Sequence, residues 1–454
     1  MSRWSRKSEK GFSIIFNMGN ASKQGMLKEL FQAALHAVDP YKSVKRYTDR
    51  ITSAYRTCSS DKINVIGFGK ASCRMVRALE DSIGDLIADA VVITKYGHGD
   101  SSYKSKKINI FEAGHPVPDK NGVKGTEAVM SLLKKSPEKR LIVCLISGGG
   151  SALLVSPYEG ITLHEKQILT DVLLKAGVDI YGLNTVRKHI SRVKGGRLAE
   201  IAYPAHMLSL ILSDVIGDRL DVIASGPTSP DTTTYNDALQ VLREYHVRDK
   251  VPSSIVDVLE KGRKGIIPET PKEESKIFEC IENIIIGSNK TALAAIQEEA
   301  EKRGLTVEIM SSEISGEAKE VGRRLAMKAR EIKNSTSVQR SLCFISGGET
   351  TVTVAGKGVG GRNMELALSF AMEIEGVDGI TLISAGTDGT DGPTDAAGAI
   401  VDGQTVIKAR ALGIDPETFL KNNDSYHFFK KIDALFVTGP TGTNVMDIQI
   451  MVLT

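Results

Sequence analysis

Leu141-Ile-Val-Cys-Leu-Ile-Ser-Gly-Gly-Gly-Ser-Ala-Leu-Leu154 is the stretch that decides the fold class. Its first part, Leu141 to Ile146, is uninterrupted apolar sequence closed by turn residues. Such a run reads as a strand buried on both faces, hence a strand of a parallel sheet. Ser147, Gly148, Gly149 and Gly150 then leave bare backbone N–H groups for an anion to approach, the more so if a helix opens at Ser151. The same design recurs at Phe344-Ile-Ser-Gly-Gly-Glu-Thr350. Two copies predict two α/β units facing each other across a site.

Outward from that stretch, short apolar runs alternate with helical patterns. Runs at 64–68, 90–94, 108–112 and 206–212 read as strands. Residues 24–38, 164–178, 235–246 and 253–261 carry the 3.6-residue spacing of helices. This alternation predicts two lobes, each a mostly parallel sheet flanked by helices, with the active site in a cleft between them. Ligands of such sheets lie beyond the carboxyl ends of strands, and each glycine or carboxylate motif below falls at such an end. In the second half, Asn283-Ile-Ile-Ile-Gly-Ser-Asn-Lys-Thr291 echoes Asn64-Val-Ile-Gly-Phe-Gly-Lys-Ala71, and Thr381 to Gly392 echoes the carboxylate-ended strand before Asp214 and Asp218. These echoes predict a diverged duplication. A length of 454 residues fits two domains. The predicted boundaries are an extension over 1–23, an N-terminal domain over 24–263, a proline-rich charged linker over 264–276 and a C-terminal domain over 277–454.

The apolar fraction of 41%, the charged fraction of 25% and the net charge of +3 belong to an ordinary globular protein. The near balance of charge excludes a nucleic-acid binder that works by bulk attraction. Five cysteines without CxxC spacing predict a reducing, cytoplasmic setting and no structural zinc. The apolar run at 12–16 is too short for a membrane span or a signal core, so Met18 or Met26 is a candidate start.

Several motifs carry chemistry. Gly67-Phe-Gly-Lys-Ala-Ser72 resembles a dinucleotide fingerprint and a P-loop without completing either, and it places Lys70 at a glycine turn suited to anions. A helix predicted from Asn184 as N-cap puts Arg187, Ser191 and Lys194 on one face. Asp214 and Asp388 lie beside glycine turns, where carboxylates hold Mg2+, accept a proton or cap their own loop. Arg362 follows a glycine loop at a predicted helix start, with Glu349 and Asn363 near it in sequence. Arginine there suits a carboxylate or a phosphate. His115, between Gly114 and Pro116, is a candidate base. No HExxH, GxSxG or Cys/His cluster supports a hydrolase or zinc enzyme.

Taken together, GFGKAS, GHPVPD, SGGGSALL, GLNTVRKHISRVKGGRLA, LSDVIGD, ASGPTSPD, SGGETTVTV, GGRNMELAL, SAGTDGTDGPTDAAGA and TGPTGTNVMD resemble the glycerate 2-kinase family. That family joins a glycerate-kinase-type domain to a C-terminal MOFRL domain. The resemblance implies phosphorylation of D-glycerate by ATP at the 2-hydroxyl, with Mg2+ as cofactor. It also implies central roles for Lys70 and Arg362, with Asp388 nearby. On that reading Ser147, Gly148, Gly149, Gly150, Ser151, Asn184, Arg187, Lys194, Glu349 and Asn363 bind substrate or phosphate. Asp214 or Asp388 holds the metal. The partners are small molecules, not nucleic acid or membrane, and a homo-oligomer is compatible with them. Two alternatives remain: an NAD(P)H-dependent hydroxypyruvate reductase, and a non-catalytic sensor of a phosphorylated metabolite.

Overall fold

The computed structural model describes residues 20–99, 105–335 and 341–454. The predicted N-terminal extension lies outside them except for residues 20–23, which open the helix Asn20–Ala37. The chain forms two compact units. One is Pro40–Ile286; the other joins the described residues up to Asp39 to Gly287–Thr454.

The Pro40–Ile286 unit contains strands β1 (Ile63–Phe68), β2 (Ile87–Lys95), β3 (Ile108–Ala113), β4 (Leu141–Ile146), β5 (Met207–Leu212) and β6 (Ile281–Gly287). They line up in the order β3-β2-β1-β4-β5-β6. The pairs β3–β2, β2–β1, β1–β4 and β4–β5 are all parallel. Alternation along β4 explains why its whole run is apolar. Ile142, Cys144 and Ile146 pack with Val129, Met130 and Leu133 of the helix Lys120–Lys135 on one face. Leu141, Val143 and Leu145 pack with Met75, Val76 and Leu79 of the helix Ser72–Ile83 on the other. A satellite core of helices, built on Leu169, Leu173, Leu183, Tyr235, Leu239 and Leu259, sits beside the sheet.

The second unit has strands β7 (Thr306–Ile314), β8 (Leu342–Gly348), β9 (Ile380–Gly386), β10 (Gly398–Asp402), β11 (Leu435–Phe436) and β12 (Asp447–Leu453). Their order is β11-β10-β9-β12-β8-β7. β7 and β8 pair in parallel, while β12 enters antiparallel to both β8 and β9. β10 runs against β9 and β11 against β10. Strands β7, β8, β9 and β11 therefore share one direction, but β12 and β10 run against them and make the sheet mixed. Helices Ala318–Ser335 and Arg362–Glu373 supply Val321, Leu325, Leu366 and Phe370 to its core. The helix Asn20–Ala37 joins this unit; Phe31 meets Phe436 edge to face, with ring centroids 5.3 Å apart.

Two expectations need correction. Residues 264–276 are not a free linker. Ile267 and Thr270 are buried, Glu269 accepts from His189 Nε2 at 3.0 Å, and Thr270 donates to Asp231 at 3.0 Å. The prolines and charges that suggested a linker instead fasten this segment to the first unit, which ends with β6. The duplication also fails here. The strand that echoes β1 is β6, yet it closes the first sheet, and the helix after it, Asn289–Lys302, belongs to the second unit.

Candidate active site

The first sheet reverses its strand order between β1 and β4, the point where open α/β sheets bind ligands beyond their carboxyl ends. Both predicted glycine turns emerge there, and they are interlocked. Lys70 N donates to Gly148 O at 2.9 Å, Ser147 N to Phe68 O at 3.1 Å, and Ala71 N to Ser147 Oγ at 3.1 Å. Gly69, at φ +126°, lies so close that a Cβ would fall 2.4 Å from Ser147 O. That glycine is therefore used to seat one turn on the other, not to admit a cofactor's pyrophosphate.

Side chains gather over the interlocked turns. Gly149, at φ +83°, passes under the ring of His115 and the stem of Lys70; a Cβ there would meet them at 2.9 and 3.3 Å. A Cβ on Gly148 would meet the Asp214 carboxylate at 2.3 Å. Lys70, His115 and Asp214 thus share one surface with the Ser147–Gly150 backbone. Burial, with help from Lys70, Lys95 and His98, pushes His115 down to about 4. It is a neutral imidazole at physiological pH.

Behind the turns lies a set of buried cations. Lys194 donates to Ser151 O at 2.8 Å, Ser151 Oγ at 3.1 Å and Ala224 O at 3.2 Å. Ser151 Oγ lies 2.8 Å from Ser225 Oγ, which donates to Asn184 Oδ1 at 2.9 Å. Ala224 and Ser225 both hold positive φ, 52° and 64°, a conformation non-glycine residues seldom adopt. The helix that carries Asn184 runs Ile180–His189 and is capped by Asp179, not by Asn184. It ends before Ser191, so the predicted single face of Arg187, Ser191 and Lys194 does not exist; a turn of chain brings Lys194 in. The helix at Gly150–Leu153 is one short turn. Asp119 caps the helix Lys120–Lys135 by accepting from Gly122 N at 2.9 Å. Lys166, half-buried Arg187 and Lys194 repel one another, and sequence reading missed Lys166. Its position on the buried face of a helix beside Leu169 was the available signal.

In the second unit Arg362 opens the helix Arg362–Glu373. It donates to Asp447 through Nε at 2.6 Å and Nη2 at 3.0 Å, and to Glu349 through Nη1. Burial opposes its charge, but Asp447 and Glu349 hold its proton more tightly than usual. Asp391 accepts from Asn363 N at 3.1 Å and Met364 N at 2.8 Å, satisfying the first amides of that helix. Burial and the repulsion of Asp447 push Asp391 up to about 7, against the pull of those amides. Asn363 is buried, and its amide oxygen accepts from Ser384 at 2.8 Å. Asp388 accepts from both the amide and the hydroxyl of Thr390 at 3.1 Å, which is loop capping. Among the described residues no three His, Cys, Asp or Glu side chains form a metal-ligating group. No described helix is long and apolar enough to cross a membrane.

Residues 26–260 match a domain described only as a domain of unknown function, DUF4147, and residues 342–447 match the MOFRL family. The D-glycerate 2-kinase of Thermotoga maritima is 44% identical over 93% of this chain and 96% of its own. The chain belongs to the glycerate 2-kinase family. A crystal structure titled glycerate kinase, also from Thermotoga maritima, matches with a TM-score of 0.86 and 43% identity over 96% of this chain and all of that one. A relative from Agrobacterium vitis, provisionally named a hydroxypyruvate reductase, is 39% identical over 96% of this chain and 95% of its own. The glycerate 2-kinase family thus contains proteins named for two chemistries, and the site has to choose between them.

Proposed function

We propose that the protein transfers the terminal phosphoryl group of ATP to the 2-hydroxyl of D-glycerate, giving 2-phosphoglycerate and ADP. The observation that carries this reading is the lining of the β1–β4 switch point. It offers the amides of Gly148 and Gly149, Lys70, the cation Lys194 held by Ser151, and the half-buried cation Arg187 near Lys194. Both substrates are anions, and phosphoryl transfer depends mainly on positioning and on offsetting charge.

In this reading Lys70 binds the glycerate carboxylate or the phosphoryl in transfer, and the Ser147–Ser151 turn with Asn184, Arg187 and Lys194 cradles phosphate. Within the second unit, Arg362 is the cation suited to an anion. It is held in place by Asp447 and Glu349, while Asn363 fixes the helix that carries it. Asp214 orients the 2-hydroxyl or accepts its proton. Mg2+ would arrive on the polyphosphate and draw one oxygen donor from Asp388 or Asp214. Few protein ligands, all oxygen, is how this ion is held with nucleotides. When bound it would offset phosphate charge. The protein would act in the cytoplasm, alone or as a homo-oligomer.

A hydride-transferring reductase has less support, because the turn after β1 is filled by Ser147 where a dinucleotide would lie. Incubation with ATP, Mg2+ and D-glycerate, followed by phosphorus NMR, tests the proposal. A 2-phosphoglycerate resonance is expected. Oxidation of NADH by hydroxypyruvate, with no phosphorylated product, would replace the kinase by the reductase.

A further inference from the structure

We infer that Lys166, Arg187 and Lys194 form a buried receptor for a phosphoryl dianion, edged by Ser151 and Ser225, in which Lys166 is the cation left open for the ligand. This deepens the kinase reading by naming a group that recognises phosphate, and it rests on that reading only for the source of the phosphate.

Lys166 lies on the helix Leu163–Lys175, turned inward with Leu169 and Leu173, and is 4% exposed. Its Nζ has no hydrogen-bond partner. An ammonium taken out of water with nothing to donate to is among the costliest arrangements in a protein. The neighbouring lysine shows that the fold can do otherwise: Lys188 is equally buried and meets Asp231 at 3.1 Å. Lys194 is anchored to Ser151 and Ala224 by three hydrogen bonds, so it is placed, yet no carboxylate offsets it. Burial acts on all three cations and repulsion on Lys166 and Lys194; no acidic side chain counters them. Burial and Arg187 push Lys166 down to about 7.

Missing negative charge and one open ammonium describe a socket for a dianion, and the Ser151 and Ser225 hydroxyls, 2.8 Å apart and bonded on to Lys194 and Asn184, fix its edge. A carboxylate brings one charge and a planar fork, which suits this set less well. The left-handed backbone at Ala224 and Ser225 holds the acceptor of Lys194 in place. Strain kept at a polar site is a mark of function rather than of packing.

The test uses the full chain and its Lys166→Met variant. Tripolyphosphate binding is measured by calorimetry, and melting temperature with and without tripolyphosphate. We expect K166M to bind at least tenfold more weakly. We also expect it to melt higher than the parent without ligand, because an unpaired buried charge has been removed, and to gain less from ligand. Lys166→Arg should recover part of the affinity. Binding within twofold of the parent, or a K166M protein that melts lower or does not fold, overturns the proposal, since either makes Lys166 a structural residue. ADP and 2-phosphoglycerate, titrated in parallel, tell nucleotide phosphate from product phosphate. If tripolyphosphate binding depends on Lys166 but ATP and D-glycerate give no product, the kinase reading falls and the receptor stands. Normal turnover with Lys166-independent binding gives the reverse.

Discussion

Arg362 grips Asp447 with two side-by-side hydrogen bonds, Nε to Oδ2 at 2.6 Å and Nη2 to Oδ1 at 3.0 Å. The carboxylate is buried, and burial pushes it above its ordinary value even with the guanidinium beside it. A lysine at 362 would keep the charge and lose the fork. Arg362→Lys is expected to lower turnover roughly tenfold to a thousandfold, as for other lost charge-positioning groups. Its fold should survive better than that of Arg362→Ala, which strands Asp447. Coupled ADP release and urea melts of the two variants check this. Full turnover in R362K would remove Arg362 from the mechanism.

Gly149 should tolerate no side chain without loss of function. Its φ of +83° costs an L-residue about 1–2 kcal/mol. A new methyl would press on the His115 ring and the Lys70 stem. Both are movable side chains, so Gly149→Ala should fold, lose roughly 1–2 kcal/mol and turn over at least about tenfold more slowly because Lys70 is displaced. Lys70→Ala should show the kinetic loss without the stability loss. Urea unfolding beside steady-state kinetics separates the two effects.

His115 should titrate far below an ordinary histidine. Burial keeps its folded value near 4, against 6.5 when unperturbed. Because the folded value is depressed, the unfolded chain takes up the proton first. The stability from this group is therefore complete above about 6.5 and is lost as pH falls toward about 4. An NMR titration of the ring proton should show no midpoint above pH 5. His115→Gln should flatten the acid limb of the stability curve.

Asn423 should be a stability residue with a kinetic signature. At φ 53° it accepts from Ala355 N at 2.8 Å and Gly356 N at 2.9 Å, and donates to Glu365 at 3.0 Å. Asn422 and Asp424 take the amides of Lys357 and Val359 beside it. Together they pin the glycine loop that leads into Arg362. Asn423→Ala leaves two amides and a buried carboxylate unserved, a loss of at least roughly 2 kcal/mol. Differential scanning calorimetry should show the drop. An unchanged melting temperature would mean that water replaces the side chain.

The first sheet was legible in the sequence because a strand buried on both faces has to be apolar throughout, as Leu141 to Ile146 is. The glycine turns followed, since only bare backbone can interlock as Gly69 and Ser147 do. The second sheet was harder. Asp447-Ile-Gln-Ile-Met-Val-Leu453 is also buried along its whole length, but it runs antiparallel, and direction leaves no trace in composition. Lys166 is easily passed over for a related reason: a lysine reads as surface, and only its spacing from Leu169 and Leu173 marks it as facing inward. The chemistry of Asn184 suits a cap, but its partner is Ser225, far along the chain, which no local pattern reveals.

The late strand β12 has a consequence for how the protein is made. β8 and β9 are synthesised well before it, yet each takes one of its edges from β12. Until β12 emerges from the ribosome, two finished strands present open backbone to any passing chain. Expression at low temperature, or with a holdase chaperone that shields strand edges, should therefore raise the soluble yield more than any change made in the first unit.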